Sequence, residues 1–179
     1  RAEKMLRQGR LEAAIAEYGV VVSEHPRDWS TANLLGDLYV RAGQIARACE
    51  QYTRVADHLA RDGFVAKAAA LYKKVIKLNP ADESALTRSA ELAAGQGLTA
   101  DVRAYMNALF QLRLRRGDRD GAIAAARQRV ALDPADVLGR LDAARMLAEA
   151  GDVSGAAGEL RHAGVALRDL GRFPEAVRA

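Results

Sequence analysis

The feature that most restricts how this chain can fold is an internal period of 54 residues that runs through the sequence. Glycines, prolines, aspartates and alanines all recur at this spacing without an insertion or deletion. The series are Gly9, Gly63, Gly117 and Gly171; Gly43, Gly97 and Gly151; Pro26, Pro80 and Pro134; Asp28, Asp82 and Asp136; and Ala14, Ala68, Ala122 and Ala176. A fixed period of this kind is typical of proteins that stack one supersecondary unit on the next.

Each series has a local physical reason. The glycines follow apolar-periodic segments, where the end of a helix favours a left-handed backbone that glycine adopts at little cost. Proline cannot continue a helix, and an aspartate two positions later can accept hydrogen bonds from the free amides of the next helix. The pattern therefore predicts three helices in each unit. The predicted segments are Trp29 to Ala42, Gln44 to Asp62, Phe64 to Leu78, 83–96, 98–116, 118–132, 137–150 and 152–170.

Composition supports an all-helical fold, because half of the residues are apolar while only 5% are aromatic. The formal net charge of +4 is too modest to indicate a dedicated nucleic-acid binder. Richness in alanine and arginine is typical of a GC-rich bacterial genome. The chain contains neither a run of apolar residues long enough to span a membrane nor a signal-peptide core at its start. We therefore expect a cytoplasmic location; a periplasmic one stays open, because the chain starts without Met and an upstream segment is expected.

The repeat resembles the tetratricopeptide repeat, whose signature is W-x2-L-G-x2-Y, then A-x3-F and a late proline. Residues 35–39 read LGDLY, and alanine–aromatic–proline sets follow at the family's spacing. The matching residues are Ala48 and Tyr52; Ala14, Tyr18 and Pro26; Ala68, Tyr72 and Pro80; and Ala122 and Pro134, with Ala126 in place of the aromatic. At these positions small residues let helices approach, and the aromatic fills the gap beside them.

The resemblance implies an all-α fold, a right-handed α-solenoid of antiparallel helix hairpins with about nine full helices and partial helices at the ends. We expect a single superhelical domain over residues 1–179 that is a fragment of a longer chain. Its three-helix units are predicted at approximately 29–82, 83–136 and 137–179, the last one partial.

The chain departs from the family in two respects. Trp29 precedes the family's tryptophan position, which is Ala32 here, so we expect it to pack at the start of its helix. The glycine spacing alternates between 34 and 20 residues, so the helix over 44–62 must serve two repeats at once. We infer that residues 54 apart lie on alternate faces of the solenoid. The alternative is a local kink that restores the family's usual geometry.

The sequence carries no recognisable signature of catalysis. Phosphate-loop, dinucleotide and zinc-protease motifs are absent, and no Ser-His-Asp arrangement can be argued. The histidines His25, His58 and His162 are scattered and fit surface or capping positions, while Cys49 fits a small core position. We expect no enzymatic activity, cofactor or metal in this chain.

By resemblance, the chain is a noncatalytic protein-protein interaction scaffold that binds a peptide or a partner protein in a helical groove. The groove residues implied by the family are Asn33, Asp37, Arg41, Thr87, Glu91, Arg145 and Glu149. The family's carboxylate-clamping set is not reproduced, so binding of a chaperone tail is not expected. Open ends of the array leave self-association available. An alternative function is a recognition or regulatory arm of a larger enzyme, such as a glycosyltransferase or a signalling protein.

Two charged clusters require an interpretation. The arginines between 113 and 129 form a basic segment without interleaved aromatics. It is interpreted as solvated surface, with docking of an acidic partner through Arg113, Arg116 and Arg119, or weak nucleic-acid binding, as alternatives. On the helix over 64–78, Lys67, Lys74 and Lys77 are predicted to share the solvated side, away from the groove, with Lys73 beside them.

Overall fold

The computed structural model describes residues 1–169 and residue 171. Within these residues the fold is all helical, with ten α-helices and no strand. The helices are α1 (Ala2–Arg7), α2 (Leu11–Glu24), α3 (Trp29–Arg41), α4 (Ile45–Arg61), α5 (Val65–Leu78), α6 (Glu83–Gly95), α7 (Thr99–Arg115), α8 (Arg119–Leu132), α9 (Val137–Glu149) and α10 (Val153–Asp169). Short turns join them into antiparallel hairpins, so the predicted fold class is confirmed.

The helix lengths follow the same period as the sequence. Helices of 13, 17 and 14 residues recur as α3, α4 and α5, then as α6, α7 and α8, and each starts 54 residues after its predecessor. The glycines of the two series are those with positive φ, between 71° and 84°. The predicted glycine helix stops are therefore confirmed.

The aspartates of the series cap the helices that follow them. The Asp28 side chain accepts from the Thr31 amide at 3.0 Å, and Asp82 accepts from the Ala85 amide at 2.9 Å. Hydrogen bonds from Thr31 lower the pKa of Asp28 below its ordinary value. Proline–x–aspartate therefore ends one helix and starts the next, as the sequence predicts.

The chain divides into two compact units, residues 1–85 and residues 86–179, with the boundary in the first turn of α6. In the N-terminal unit each helix from α1 to α5 packs on the next one along the chain. In the C-terminal unit α7 packs on α8, α8 on α9, and α9 on α10. The single superhelical domain over residues 1–179, and the placement of equivalent residues on alternate faces, stay predictions.

In the N-terminal unit, small residues and aromatic rings build the core together. Ala48 and Ala68 are fully buried, and the rings of Tyr52 and Tyr72 are at most 2% exposed. A Cβ atom added to Gly36 would lie 2.7 Å from Cε1 of Tyr52, so the glycine of the LGDLY motif makes room for that ring. The packing role predicted for these positions is confirmed.

The C-terminal unit has an apolar core around α7 and α8, in which Met106, Leu109 and Ala122 are fully buried. It also buries the charged residues Arg129 and Asp136, which are 4% and 2% exposed. Among the described residues, no helix is long and apolar enough to cross a membrane, and no cluster of side chains could hold a metal ion.

Candidate partner-binding groove

A groove of about 370 Å³ lies in the N-terminal unit, where α3, α4 and α5 meet. Trp29 and Asn33 line it from α3, Val55 from α4, and Lys67 and Leu71 from α5. We call it the α3–α5 groove. Its floor is apolar and its rim is polar, which is the usual composition of a binding surface.

Trp29 is held at the side of the groove by the next helix. Its ring stacks on His58 of α4, with centroids 4.0 Å apart and planes inclined by 23°. His58 Nε2 in turn lies 3.0 Å from an Asp62 oxygen. The expectation that Trp29 packs at the start of its helix is confirmed, and His58 has a packing role as well as a surface position. The indole is half-buried, so part of its ring stays accessible beside the groove.

Asn33 lines the groove and carries a buried polar atom without a hydrogen-bond partner in the described part of the chain. Its Oδ1 is buried and has no hydrogen-bond partner. A primary amide carries both an acceptor and a donor group, so it matches the two hydrogen-bonding groups of a peptide unit. An unsatisfied buried acceptor costs about 1–3 kcal/mol, so the free protein carries this cost at Asn33.

Asp37, also predicted as a groove residue, joins the three helices. Its carboxylate accepts hydrogen bonds from Tyr52 of α4 and, at 2.9 Å, from Lys74 of α5. Burial acts to raise the pKa of Asp37, but these hydrogen bonds and the Lys74 charge outweigh burial, so the pKa lies below its ordinary value. Burial and the adjacent carboxylate raise the pKa of Tyr52. The Lys74 ammonium also lies 4.7 Å from the Tyr52 ring centroid.

The lysine interpretation from the sequence was wrong for two of its residues. Lys67 and Lys74 line the α3–α5 groove, whereas they were placed on the side away from it. Lys73 and Lys77 are exposed and do not line it. The error has a physical cause: α3 and α5 flank α4, so the polar side of α5 faces the polar side of α3. The spacing of Lys67, Leu71 and Lys74 on one helix face was the available signal.

The remaining predicted groove residues are distributed over both units. Arg41 is exposed in the last turn of α3. In the C-terminal unit, Thr87 is half-buried on α6, and Glu91 pairs with Arg88 at 3.1 Å. Arg145 is exposed on α9, 4.0 Å from Asp142, and Glu149 is exposed at the end of that helix. Of the seven predicted residues, Asn33 lines the α3–α5 groove and Asp37 contacts a lysine that does.

The basic segment predicted from residues 113 to 129 does not form one patch. Arg113 donates to the Gly121 carbonyl at 2.9 Å, and Arg127 lies 3.6 Å from Glu159. Arg129 is buried, so its assignment to the surface was wrong. Arg116 and Arg119 are exposed on either side of Gly117. Most of the segment is therefore explained by the helix end between α7 and α8 and by the contacts of Arg113 and Arg127 with nearby groups.

Arg129 belongs to an ion-pair network in the C-terminal unit. It donates to Asp136, the N-cap of α9, and lies 3.4 Å from Asp142. Arg103 of α7 reaches Asp133 at 2.6 Å and lies 3.9 Å from Asp136. Because Asp133 and Asp136 are at most 4% exposed, each requires these cations to compensate for lost hydration.

A second cavity, of about 760 Å³, lies on the N-terminal unit between α4 and the turn after α5. We call it the Cys49 pocket. Cys49, Glu50 and Asp57 line it from α4, and Asn79 and Asp82 from the turn. Burial and then the Asp82 charge raise the pKa of the Cys49 thiol. The sequence placed Cys49 in the core, and it is indeed 8% exposed, but the cavity beside it carried no sequence signal.

Comparison with known proteins agrees with this architecture. Residues 107–163 match the family model of the tetratricopeptide repeat, and residues 1–75 match that of the bacterial transcriptional activator domain. Residues 107–163 therefore match the tetratricopeptide repeat, which agrees with the helix hairpins of the described residues. Among curated proteins no sequence matches it significantly.

Several solved structures are similar over most of the chain. They include the crystal structure of MamA, with 16% identity, a TM-score of 0.35 and coverage of 96% of this chain and 97% of that one. A tetratricopeptide repeat protein from Parabacteroides merdae has 14% identity, a TM-score of 0.33 and coverage of 98% and 86%. BtubC from P. vanneervenii has 19% identity, a TM-score of 0.42 and coverage of 95% and 78%. With TM-scores below 0.5, these likenesses carry no conclusion about this chain.

Proposed function

We propose that this chain is a noncatalytic scaffold that binds a partner protein by holding an extended segment of it in the α3–α5 groove. The observation that supports this most directly is the unpaired Oδ1 of Asn33 beside an apolar floor. The floor offers Val55 and Leu71 to an apolar side chain, and Asn33 offers its amide to the partner's backbone. A segment held in this way contributes binding energy through both burial and hydrogen bonds.

The charge of the groove favours an acidic residue in the bound segment. Lys67 and Lys74 both line it, and Lys74 is already paired with Asp37. Lys67 lies 5.3 Å from the Phe64 ring, and no carboxylate of residues 1–169 forms a salt bridge with it, so it supplies the attraction for a carboxylate of the partner. We therefore expect a segment with an apolar anchor and a nearby Asp or Glu.

Selection from a random peptide library on the intact chain, followed by fluorescence titration, tests this proposal. Trp29 is the only tryptophan, so its emission reports on the groove. We expect the selected peptides to change Trp29 emission and to bind about tenfold less tightly, ~1.4 kcal/mol, to Asn33→Ala and Lys67→Glu variants.

The matched control for that experiment is Lys77→Glu, which makes the same charge change on α5 outside the groove. It should leave the affinity within about twofold at physiological salt, since exposed charges are screened. Equal losses for Lys67→Glu and Lys77→Glu, or peptides that leave Trp29 emission unchanged, would contradict the proposed site.

A second candidate function is a regulatory arm within a larger protein. The observation that favours it is the match of residues 1–75 to the bacterial transcriptional activator domain. The full-length protein tests it: deletion of residues 1–75 should alter the activity of the remaining domains if the chain is such an arm. We also propose that Thr87, Glu91, Arg145 and Glu149 contact a partner, that the ends of the array self-associate, and that the protein is cytoplasmic.

A further inference from the structure

The Cys49 pocket has a counterpart in the C-terminal unit, because the repeat places each of its key residues 54 positions further on. Cys49 corresponds to Arg103, Asn79 to Asp133, and Asp82 to Asp136. The helices that carry these pairs also correspond, since α4 and α7 are both 17 residues long. The same position of the repeat can therefore be compared with two different sets of side chains.

In the C-terminal unit an arginine occupies this place. The Arg103 guanidinium lies 2.6 Å from the Asp133 carboxylate and 3.9 Å from that of Asp136. It extends from the helix toward the turn between α8 and α9 and supplies positive charge to two buried aspartates. A guanidinium in this position satisfies carboxylates that water no longer reaches.

In the N-terminal unit the corresponding place is open and acidic. The short Cys49 side chain leaves a cavity of about 760 Å³, and Glu50, Asp57 and Asp82 contribute carboxylates to its walls. Its basic lining residue, Arg54, donates to Gln51 at 3.0 Å and lies 5.8 Å from the Trp29 ring centroid. The cavity thus keeps a surplus of negative charge and the space in which an arginine side chain stands in the other unit.

We propose that the Cys49 pocket receives an arginine side chain from a partner polypeptide, in the place that Arg103 fills from within the chain. The pocket shares no lining residue with the α3–α5 groove, so this is a second contact with opposite charge preference. The guanidinium would donate to the side-chain oxygen of Asn79, as Arg103 donates to Asp133, and would lie at ion-pair distance from Asp82, as Arg103 does from Asp136. Glu50 and Asp57 would add attraction for the charge.

Two short peptides test the proposal, one with a central arginine and one with citrulline, which has nearly the same shape and no charge. Both have blocked termini, and backbone amide shifts of the 179-residue chain are followed by NMR. We expect the arginine peptide to shift the amides of Cys49, Asn79 and Asp82 and to slow alkylation of Cys49 by iodoacetamide severalfold. The citrulline peptide should do neither at the same concentration.

Variants of the pocket complete the test. Cys49→Arg supplies the side chain from within, and Cys49→Leu fills the space without charge, so either should weaken arginine-peptide binding at least tenfold. Glu50→Gln should weaken it severalfold, while Glu24→Gln, an exposed carboxylate outside the pocket, should not. Equal binding of citrulline, shifts confined to the α3–α5 groove, or unchanged binding to Cys49→Leu would each overturn the proposal. Trp29 emission with library peptides is a separate measurement. The proposal for the α3–α5 groove can therefore be contradicted while the proposal for the Cys49 pocket is supported.

Discussion

Val75 in the N-terminal unit and Arg129 in the C-terminal unit occupy the same position of the repeat, and both are buried. Val75 is an apolar core residue, and the residue ten positions later, Ala85, is buried as well. Around Arg129 the corresponding residue is Gly139, where a Cβ atom would lie 2.8 Å from Nε of the arginine. The repeat therefore determines which positions are buried, but not whether they are apolar or charged. A larger or charged residue at one position requires a smaller or oppositely charged neighbour.

A second pair of positions shows the same rule without charge. Gly36 faces the ring of Tyr52 in the N-terminal unit, and the corresponding residues 54 positions later are Ala90 and Met106. Alanine, which is larger than glycine, therefore accompanies methionine, which is narrower than the tyrosine ring. Both alanine and methionine are fully buried, so the exchange preserves a closed core in each unit.

The largest difference in unfolding free energy between equivalent variants of the two units is expected for Arg129→Ala. It leaves the buried Asp136 without its closest cation and should cost about 3–5 kcal/mol of unfolding free energy. Val75→Ala at the corresponding position removes only apolar contacts and should cost about 2 kcal/mol. Urea unfolding followed by circular dichroism measures both. Equal costs would mean that the buried ion pair contributes no more than packing.

Gly139→Ala should follow, with a loss of roughly 3 kcal/mol, because the added methyl group displaces the Arg129 guanidinium and the Asp136 carboxylate together. The control is Gly158→Ala in the same unit. A Cβ atom there would meet nothing within 4 Å, so helix propensity should stabilise that variant by up to about 1 kcal/mol. Thermal unfolding of the two variants should give shifts of opposite sign.

Gly36→Ala should cost about 2 kcal/mol, since the Tyr52 ring must move to admit the methyl group. Combining it with Tyr52→Met recreates the pair found at Ala90 and Met106, and we expect part of the loss to be recovered. A double-mutant cycle measures this coupling. Additive losses would show that the two positions do not compensate each other.

The smallest effect concerns the pH dependence of the Asp37 contact. Because the folded-state pKa of Asp37 is lowered, its contribution is present above the unfolded-state value of about 3.9 and is lost as the pH falls through the folded-state value. Asp37→Asn should therefore cost about 1 kcal/mol at neutral pH, and the difference from the parent chain should shrink below about pH 4.

The corresponding residue in the C-terminal unit provides the control for that measurement. Glu91 lies 54 positions after Asp37 and makes an exposed pair with Arg88. Glu91→Gln should change stability by only about 0.3 kcal/mol at any pH, since exposed pairs of this spacing contribute little. A pH-dependent loss as large as that of Asp37→Asn would contradict the role assigned to Tyr52 and Lys74.

The sequence predicted the features that depend on local backbone chemistry. Glycine and aspartate define where helices end and begin, and those preferences act over a few residues, so the series located every turn between helices from α1 to α10. Alanine, glycine and tyrosine spacing likewise predicted the packing positions around Tyr52 and Tyr72.

Features that depend on contacts between separate helices could not be predicted in the same way. Lys74 reads as a solvated residue until α3 is known to stand opposite α5. Arg129 reads as part of a basic surface until Asp136 and Asp142 are found around it. In both cases the local pattern shows which residues share a helix face, but the neighbour that this face meets is set by tertiary packing.

The strict spacing of the glycine and aspartate stops has a consequence for how such a chain can be edited. Removing residues 83–136 would join Asp82 to Val137, and an aspartate would still precede the helix that begins there. The excised segment contains one complete set of three helices, with 13, 17 and 14 residues. Deletion of this segment would therefore remove three complete helices and keep an aspartate cap at the junction.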